Sequence, residues 1–220
     1  MNATRADVAK LLSDQSGIRL DIGCGGSKNE GFVGMDARAL PNVDIVWDVT
    51  RFPWPLPDES VVVAVTSHLV EHIPPDAGDT RVTGLIELLL YKNLITEAEI
   101  EGFIGEIEPG PRFIRFMDEV WRVMKYDGEF AIACPHGYGP GQLQDPTHIN
   151  AINEATWSYF DPLDPNTGGA LYRIYSPKPW RIKSLVWSPA ANMEVVLVKR
   201  RIDSSYLPDY SSSNGGQTNA

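Results

Sequence analysis

The side chains best suited to chemistry are four histidines and a series of acids that close apolar runs. His68 and His72 lie in Ser67-His-Leu-Val-Glu-His72, and His136 and His148 lie within 135–150. An imidazole titrates near neutrality and can take a proton from a nucleophilic oxygen or nitrogen. In Asp145-Pro-Thr-His148 a carboxylate three residues from the ring can fix its tautomer. Glu71 can hold His72 in a similar way, and Pro135 delivers His136 straight from an apolar run. Two acids close such runs, Asp36 in Phe32-Val-Gly-Met-Asp36 and Asp48 in Val43-Asp-Ile-Val-Trp-Asp48. Asp21 precedes a glycine-rich turn made of Gly23, Cys24, Gly25 and Gly26.

The elements that must position these groups follow from periodicity. Ile18–Ile22, Phe32–Asp36, Val43–Asp48, Val61–Thr66 and Glu129–Cys134 read as strands. The β-branched run Val61–Thr66 suits a strand buried on both faces of a parallel sheet. Phe113, Phe116, Met117, Val120, Trp121 and Met124 share one helix face, which Tyr126-Asp-Gly128 ends. Further helices are predicted behind Thr4-Arg-Ala-Asp7, over 81–95 and 97–107, and over Glu154–Phe160. Residues 135–150, rich in glycine and proline, read as loop. Ile182–Ser188 and Met193–Lys199 are joined by a tight Pro-Ala-Ala-Asn turn and must run antiparallel. Only 13 positions separate Gly23 from Asp36, so the helix after the first strand is shortened or missing. The pattern predicts an α/β fold. Its sheet is doubly wound, mostly parallel and seven-stranded, with a C-terminal antiparallel hairpin and a helical insertion.

Composition excludes several classes. The chain has 220 residues, 43% hydrophobic, enough for one domain with a real core. A net charge of −10 argues against coating nucleic acid through bulk charge. No apolar run reaches membrane-spanning length, and the first ten residues carry no signal-peptide pattern. The two cysteines, Cys24 and Cys134, make no disulfide scaffold, and a reducing cytoplasm is expected.

In an open parallel sheet, ligands bind beyond the carboxyl ends of the strands. There the glycines let a ligand approach the backbone. Asp36 can accept the hydroxyls of a ribose. Asp48 can accept from an exocyclic amine such as that of adenine, with Val49 against the ring. A dinucleotide fingerprint fails, because its third glycine is Lys28 and its acid stands too close.

Leu20-Asp-Ile-Gly-Cys-Gly-Gly26, Val33-Gly-Met-Asp36, Asp44-Ile-Val-Trp-Asp48 and Ser67-His-Leu-Val-Glu-His-Ile73 occur in that order. Glu119-Val-Trp-Arg-Val-Met-Lys-Tyr-Asp-Gly128 follows. Across roughly 18–136 the chain resembles the class I S-adenosylmethionine-dependent methyltransferases, of the type 11 kind, with their Rossmann-like sheet. Lys125-Tyr126 departs from the family's usual Lys-Pro. The resemblance implies S-adenosylmethionine as cofactor and S-adenosylhomocysteine as product. It puts Asp21, Gly23, Cys24, Gly25 and Gly26 near the methionine part, and Asp36 and Ala37 at the ribose. It puts Asp48 and Val49 at the adenine, and Ser67 and His68 along the pocket.

The expected reaction is methyl transfer to an oxygen or nitrogen of a small or sugar-like substrate. His136 or His148 is the expected general base, with Asp145 as orienter and His72 facing the substrate. His136, Asp145 and His148 also make a two-histidine, one-carboxylate set. Methyl transfer needs no metal, and none is expected. Tyr138, Trp157, Tyr159, Phe160, Tyr172 and Tyr175 are candidate pocket walls, with Trp157 and Phe160 read as packing. An amino-directed DNA enzyme of this fold would carry an Asp/Asn/Ser-Pro-Pro-aromatic motif where Ser67-His-Leu-Val70 stands.

Residues 1–203 are read as one methyltransferase domain with a helical insertion at about 76–110, and 204–220 as a flexible tail. The stretch 76–108 holds eight acids and two bases, a net of −6. It is expected to be a lid or a homodimer surface. The stretch 171–202 holds seven bases against Glu194 alone, a net of +6. That face supports an alternative reading, a nucleic-acid methyltransferase, against the blander one of edge-strand protection. A third reading is a non-catalytic cofactor-binding partner subunit.

Overall fold

The computed structural model describes residues 17–74, 89–96, 111–188 and 192–201. Seven strands make one sheet: β1 (Ile18–Ile22), β2 (Val33–Asp36), β3 (Ile45–Val46), β4 (Val61–Ser67), β5 (Met124–Pro135), β6 (Trp180–Trp187) and β7 (Asn192–Lys199). Their spatial order is β3-β2-β1-β4-β5-β7-β6. The first five are parallel, with Leu20 opposite Val33 and Ala64, and Ala64 opposite Phe130. β7 runs antiparallel to both β5 and β6. The chain order reverses between β1 and β4, so a crevice forms beyond their carboxyl ends.

The helix α1 (Arg112–Val123) buries Phe113, Phe116, Met117, Val120 and Val123 on the sheet. Phe116 lies 5.8 Å from the Trp54 ring and 6.4 Å from Phe130. Removing such a buried aromatic costs about 3–5 kcal/mol. Trp121 lies at the edge of this face, with its indole N–H donating to Pro179. Met124 already belongs to β5, so the helix ends before Tyr126-Asp-Gly128 and the chain runs straight into the strand. Residues 135–150, read as loop, contain one short helix, α2 (Pro140–Gln144). Two more short helices follow, α3 (Glu154–Ser158) and α4 (Tyr172–Tyr175).

Between β1 and β2 the chain only turns, as the spacing required. The expected N-terminal helix, the tail, the 97–107 helix and most of the 76–110 insertion lie outside the described residues. So do positions 189–191 of the hairpin turn. Among the described residues no helix is long and apolar enough to cross a membrane.

Candidate active site at the strand ends

A cavity of about 380 Å³ lies beyond the carboxyl ends of β1, β2, β3 and β4. Its walls include Gly23, Asp36, Ala37, Asp48, Val49, His68 and His72. Each wall follows from local structure. Gly23 sits at φ 71°, and a Cβ there would press to 3.0 Å from the Leu69 side chain. Only glycine holds that turn without strain.

Asp36 is 8% exposed at the end of β2. Its Oδ2 accepts the Gly25 N–H at 2.9 Å. Its Oδ1 accepts the Arg38 backbone N–H at 2.9 Å and the Arg38 Nε–H at 3.2 Å. Burial raises the pKa of this carboxyl, but those hydrogen bonds outweigh it and hold it below its ordinary value. A carboxylate has about four acceptor positions. Three are taken, and the third belongs to an exposed Arg38 side chain that can swing aside. Room for two ribose hydroxyls is therefore present once Arg38 moves.

Asp48 directs Oδ1 to the backbone N–H and hydroxyl of Thr50, at 2.9 and 2.8 Å. The second oxygen is left for an amine. Val49 is buried beside it, and its carbonyl accepts from the Trp54 indole at 3.1 Å. The loop carrying both is tied to α1. Glu119 Oε1 accepts the Trp54 N–H and an Arg122 N–H, and Arg122 also donates to the Leu56 carbonyl.

The expected methionine-end residues divide. Gly25 serves the site by donating to Asp36. Asp21, Cys24, Gly26 and Ser67 do not line this cavity. Asp21 accepts the Asn29 backbone and side-chain N–H groups at 2.8 and 2.9 Å. With Ser67 it lines a neighbouring cavity of about 250 Å³. Strand alternation explains this: Ile18, Leu20 and Ile22 face the core, and Asp21 faces the other way. Cys24 and Cys134 are free thiols, pushed up to about 11 and about 12, chiefly by burial.

The four histidines also divide. His68 stands at φ 54° just after β4. Asn192 Nδ2 reaches its Nε2 at 3.2 Å, and its Nδ1 lies 3.2 Å from Glu71 Oε1. These contacts assign the proton to Nδ1 and engage both nitrogens. His136, expected as a base, is likewise committed. The Tyr138 N–H donates to its Nδ1 at 3.2 Å, and its Nε2 pairs with Glu154 at 3.1 Å. Its ring lies 4.4 Å from that of Trp187.

His72, Asp145 and His148 come together instead. Val70–His72 forms a 3-10 turn after β4. The Glu71 carbonyl accepts the Ile149 and Asn150 N–H groups at 3.0 and 2.9 Å, which docks the 145–150 segment there. His72 and His148 then meet edge to face, with ring centres 4.7 Å apart. His148 Nε2 lies 3.7 Å from Asp145 Oδ2 and 3.9 Å from Glu71 Oε1. Asp145 uses Oδ1 for the Thr147 N–H and hydroxyl, which holds its carboxyl below the ordinary value. Glu71 has no exposed side-chain surface. Sequence reading treated it only as a support for His72, yet it is the centre of the group.

The expected aromatic wall is mostly packing. Trp157, Phe160 and Tyr172 are buried, and Phe113 meets the first two edge to face. Tyr138 is exposed, and Tyr159 pairs with Tyr175 at 5.7 Å. The basic hairpin is largely spent on the fold. Lys199 is 1% exposed, donates to the Met124 carbonyl and sits over the Trp121 ring. Arg200 pairs with Asp161, and Lys183 with Glu129.

No protein-family model matches this chain, and no curated protein does either. Solved structures similar to it include a SAM-dependent methyltransferase from Aquifex aeolicus. That chain is 15% identical, with 89% of each chain covered and a TM-score of 0.43. A SAM-dependent methyltransferase from Archaeoglobus fulgidus is 14% identical, with 90% of this chain and 95% of that one covered and a TM-score of 0.47. The Burkholderia thailandensis 1,6-didemethyltoxoflavin-N1-methyltransferase was solved with bound 1,6-didemethyltoxoflavin and S-adenosylhomocysteine. It is 12% identical, with 90% of this chain and 76% of that one covered and a TM-score of 0.49. The strand order β3-β2-β1-β4-β5-β7-β6, with β7 alone reversed between its neighbours, is the mostly parallel seven-stranded sheet with a C-terminal antiparallel hairpin expected from the sequence.

Proposed function

We propose that this chain is an S-adenosylmethionine-dependent methyltransferase acting on an oxygen or nitrogen of a small or sugar-like substrate. One observation carries the reading. A single cavity at the sheet's reversal point gathers Gly23, an ionised Asp36, and Asp48 with Val49. Its volume suits a ligand of nucleoside size.

Asp36 binds and orients the ribose through its remaining acceptor positions. Asp48 takes the adenine amine, and buried Val49 packs on the ring. S-adenosylmethionine supplies a methyl on a sulfonium, a good leaving group. The acceptor's lone pair forms the new bond to carbon as the sulfur–carbon bond breaks, and that electron pair stays on sulfur. The acceptor must lose a proton, and this task falls to the group of His72, Asp145 and His148. Of these, His72 also borders the cofactor cavity. His136 is left out of the machinery, because both ring nitrogens are engaged elsewhere.

A small acceptor is favoured over nucleic acid, because Lys199 and Arg200 are held in internal contacts and Lys183 is paired with Glu129 at the surface, rather than all three being presented to phosphates. The test is a methyl-transfer screen against nucleotides, sugars, small acids and DNA, read by S-adenosylhomocysteine formation. Turnover with a sugar or small acid supports the reading. Turnover with DNA alone removes the substrate class, and an absence of any S-adenosylhomocysteine binding removes the enzyme.

A further inference from the structure

The polar groups beside the cofactor cavity are under-satisfied in a specific way. Glu71 is fully buried, yet among the described residues its Oε2 has no hydrogen-bond partner. The Nδ1 of His148, in a side chain 8% exposed, has none either. Orphaned buried polar atoms are rare and each carries a desolvation cost. A buried carboxylate is the more costly case, because among the described residues only the His68 ring hydrogen-bonds to it, at Oε1.

Three donor atoms, one each from Glu71, His72 and His148, lie within 4.8 Å of one another. Metal–ligand bonds of about 2.0–2.2 Å place donor atoms roughly 3–4 Å apart, so a small inward shift completes the set. The tautomer of His72 already suits ligation. Its Nδ1 donates to the Thr147 carbonyl at 3.2 Å, which leaves Nε2 as a bare lone pair. Such an outer-shell carbonyl orients a ligating imidazole. Asp145 Oδ2 stands 3.7 Å from His148 Nε2 on the open side.

We propose that Glu71, His72 and His148 form a divalent transition-metal site at the wall of the cofactor cavity, with Asp145 at its outer edge. Two imidazoles and one carboxylate suit zinc, manganese or ferrous iron, whereas magnesium and calcium prefer all-oxygen sets. The set differs from the His136, Asp145 and His148 combination considered on spacing, because His136 is held by Glu154. A cation here neutralises Glu71, and an open coordination position can take an acceptor oxygen and ease its deprotonation. That use of the site rests on the methyl-transfer reading; the binding itself does not.

The test titrates the full chain, stripped with chelator, with Zn²⁺ and with Mn²⁺, and counts metal after gel filtration. One equivalent per chain is expected, with at least tenfold weaker binding in Glu71→Gln and in His148→Gln. His136→Gln is expected to bind like the parent, and a large excess of Mg²⁺ should not compete. S-adenosylhomocysteine titration of each variant reports whether the pocket remains folded. No bound equivalent in the parent, or equal losses in His136→Gln and His148→Gln, overturns the site. Cofactor binding without metal overturns the metal site alone. Metal binding without cofactor keeps the site and removes the methyltransferase reading.

Discussion

Asp36 closes β2 and Glu71 lies just past β4; both are buried carboxylates, and the fold treats them in opposite ways. Asp36 receives three N–H donors, two from the backbone. Among the described residues, Glu71 receives one ring hydrogen bond and keeps an oxygen with no donor. The first is a finished acceptor, held ionised and waiting only for hydroxyls. The second keeps an oxygen unpaired among the described residues, and the proposed metal ion would supply its partner. Preorganisation by the backbone marks the proposed cofactor side, and an unpaired carboxylate oxygen marks the proposed acceptor side.

Substitutions can break this contrast. The largest effect is expected on turnover. Glu71→Gln or His148→Gln should slow methyl transfer by ~10²–10⁴-fold, the usual range for loss of proton-transfer assistance. S-adenosylhomocysteine affinity should stay within a few-fold of the parent, as read by calorimetry. Parallel losses of turnover and cofactor affinity would merge the two regions into one. Next comes Asp36→Ala. Losing a charged hydrogen-bond acceptor is worth ~1.5–3 kcal/mol, so cofactor binding should weaken about 10- to 150-fold.

The contrast between the two regions also separates what could be read from residue order. The Asp36 side was legible because its parts are local. Each acid closes an apolar run, and the parallel sheet brings all strand ends to one edge. Asp21, with the same locality, lines the neighbouring cavity instead, since strand period turns it away from Leu20 and Ile22. The Glu71 side was legible only in part. His72, Asp145 and His148 each stood out by type. Their meeting depends on backbone hydrogen bonds from Ile149 and Asn150 to Glu71, nearly eighty residues apart. His136 looked equivalent to His148 until Glu154 and Trp187 were seen against it. For the basic hairpin the charge count left two readings open, because it cannot register that Lys199 is buried over aromatic rings.

Two smaller effects sharpen the same comparison. Without added cation, Glu71→Gln should raise Tm. Removing a poorly satisfied charge worth about 1 kcal/mol shifts a chain of this size by roughly 2–4 °C. A lower Tm would mean that Glu71 is satisfied after all. For Asp36 the sign is opposite. Its folded pKa lies below the ordinary 3.8. Its ionised form therefore stabilises the fold above that value, and the contribution fades as pH falls below it. Asp36→Asn should lower Tm at neutral pH, and the gap from the parent should narrow in acid titrations below pH 3.8.

The central claim is that the strand-end cavity holds S-adenosylmethionine through Asp36. Calorimetric titration of the full chain with S-adenosylhomocysteine, beside Asp36→Ala, tests it most directly. The account predicts one saturable site per chain that is at least tenfold weaker in the variant. No binding to the parent chain, or equal affinity in both, would contradict it.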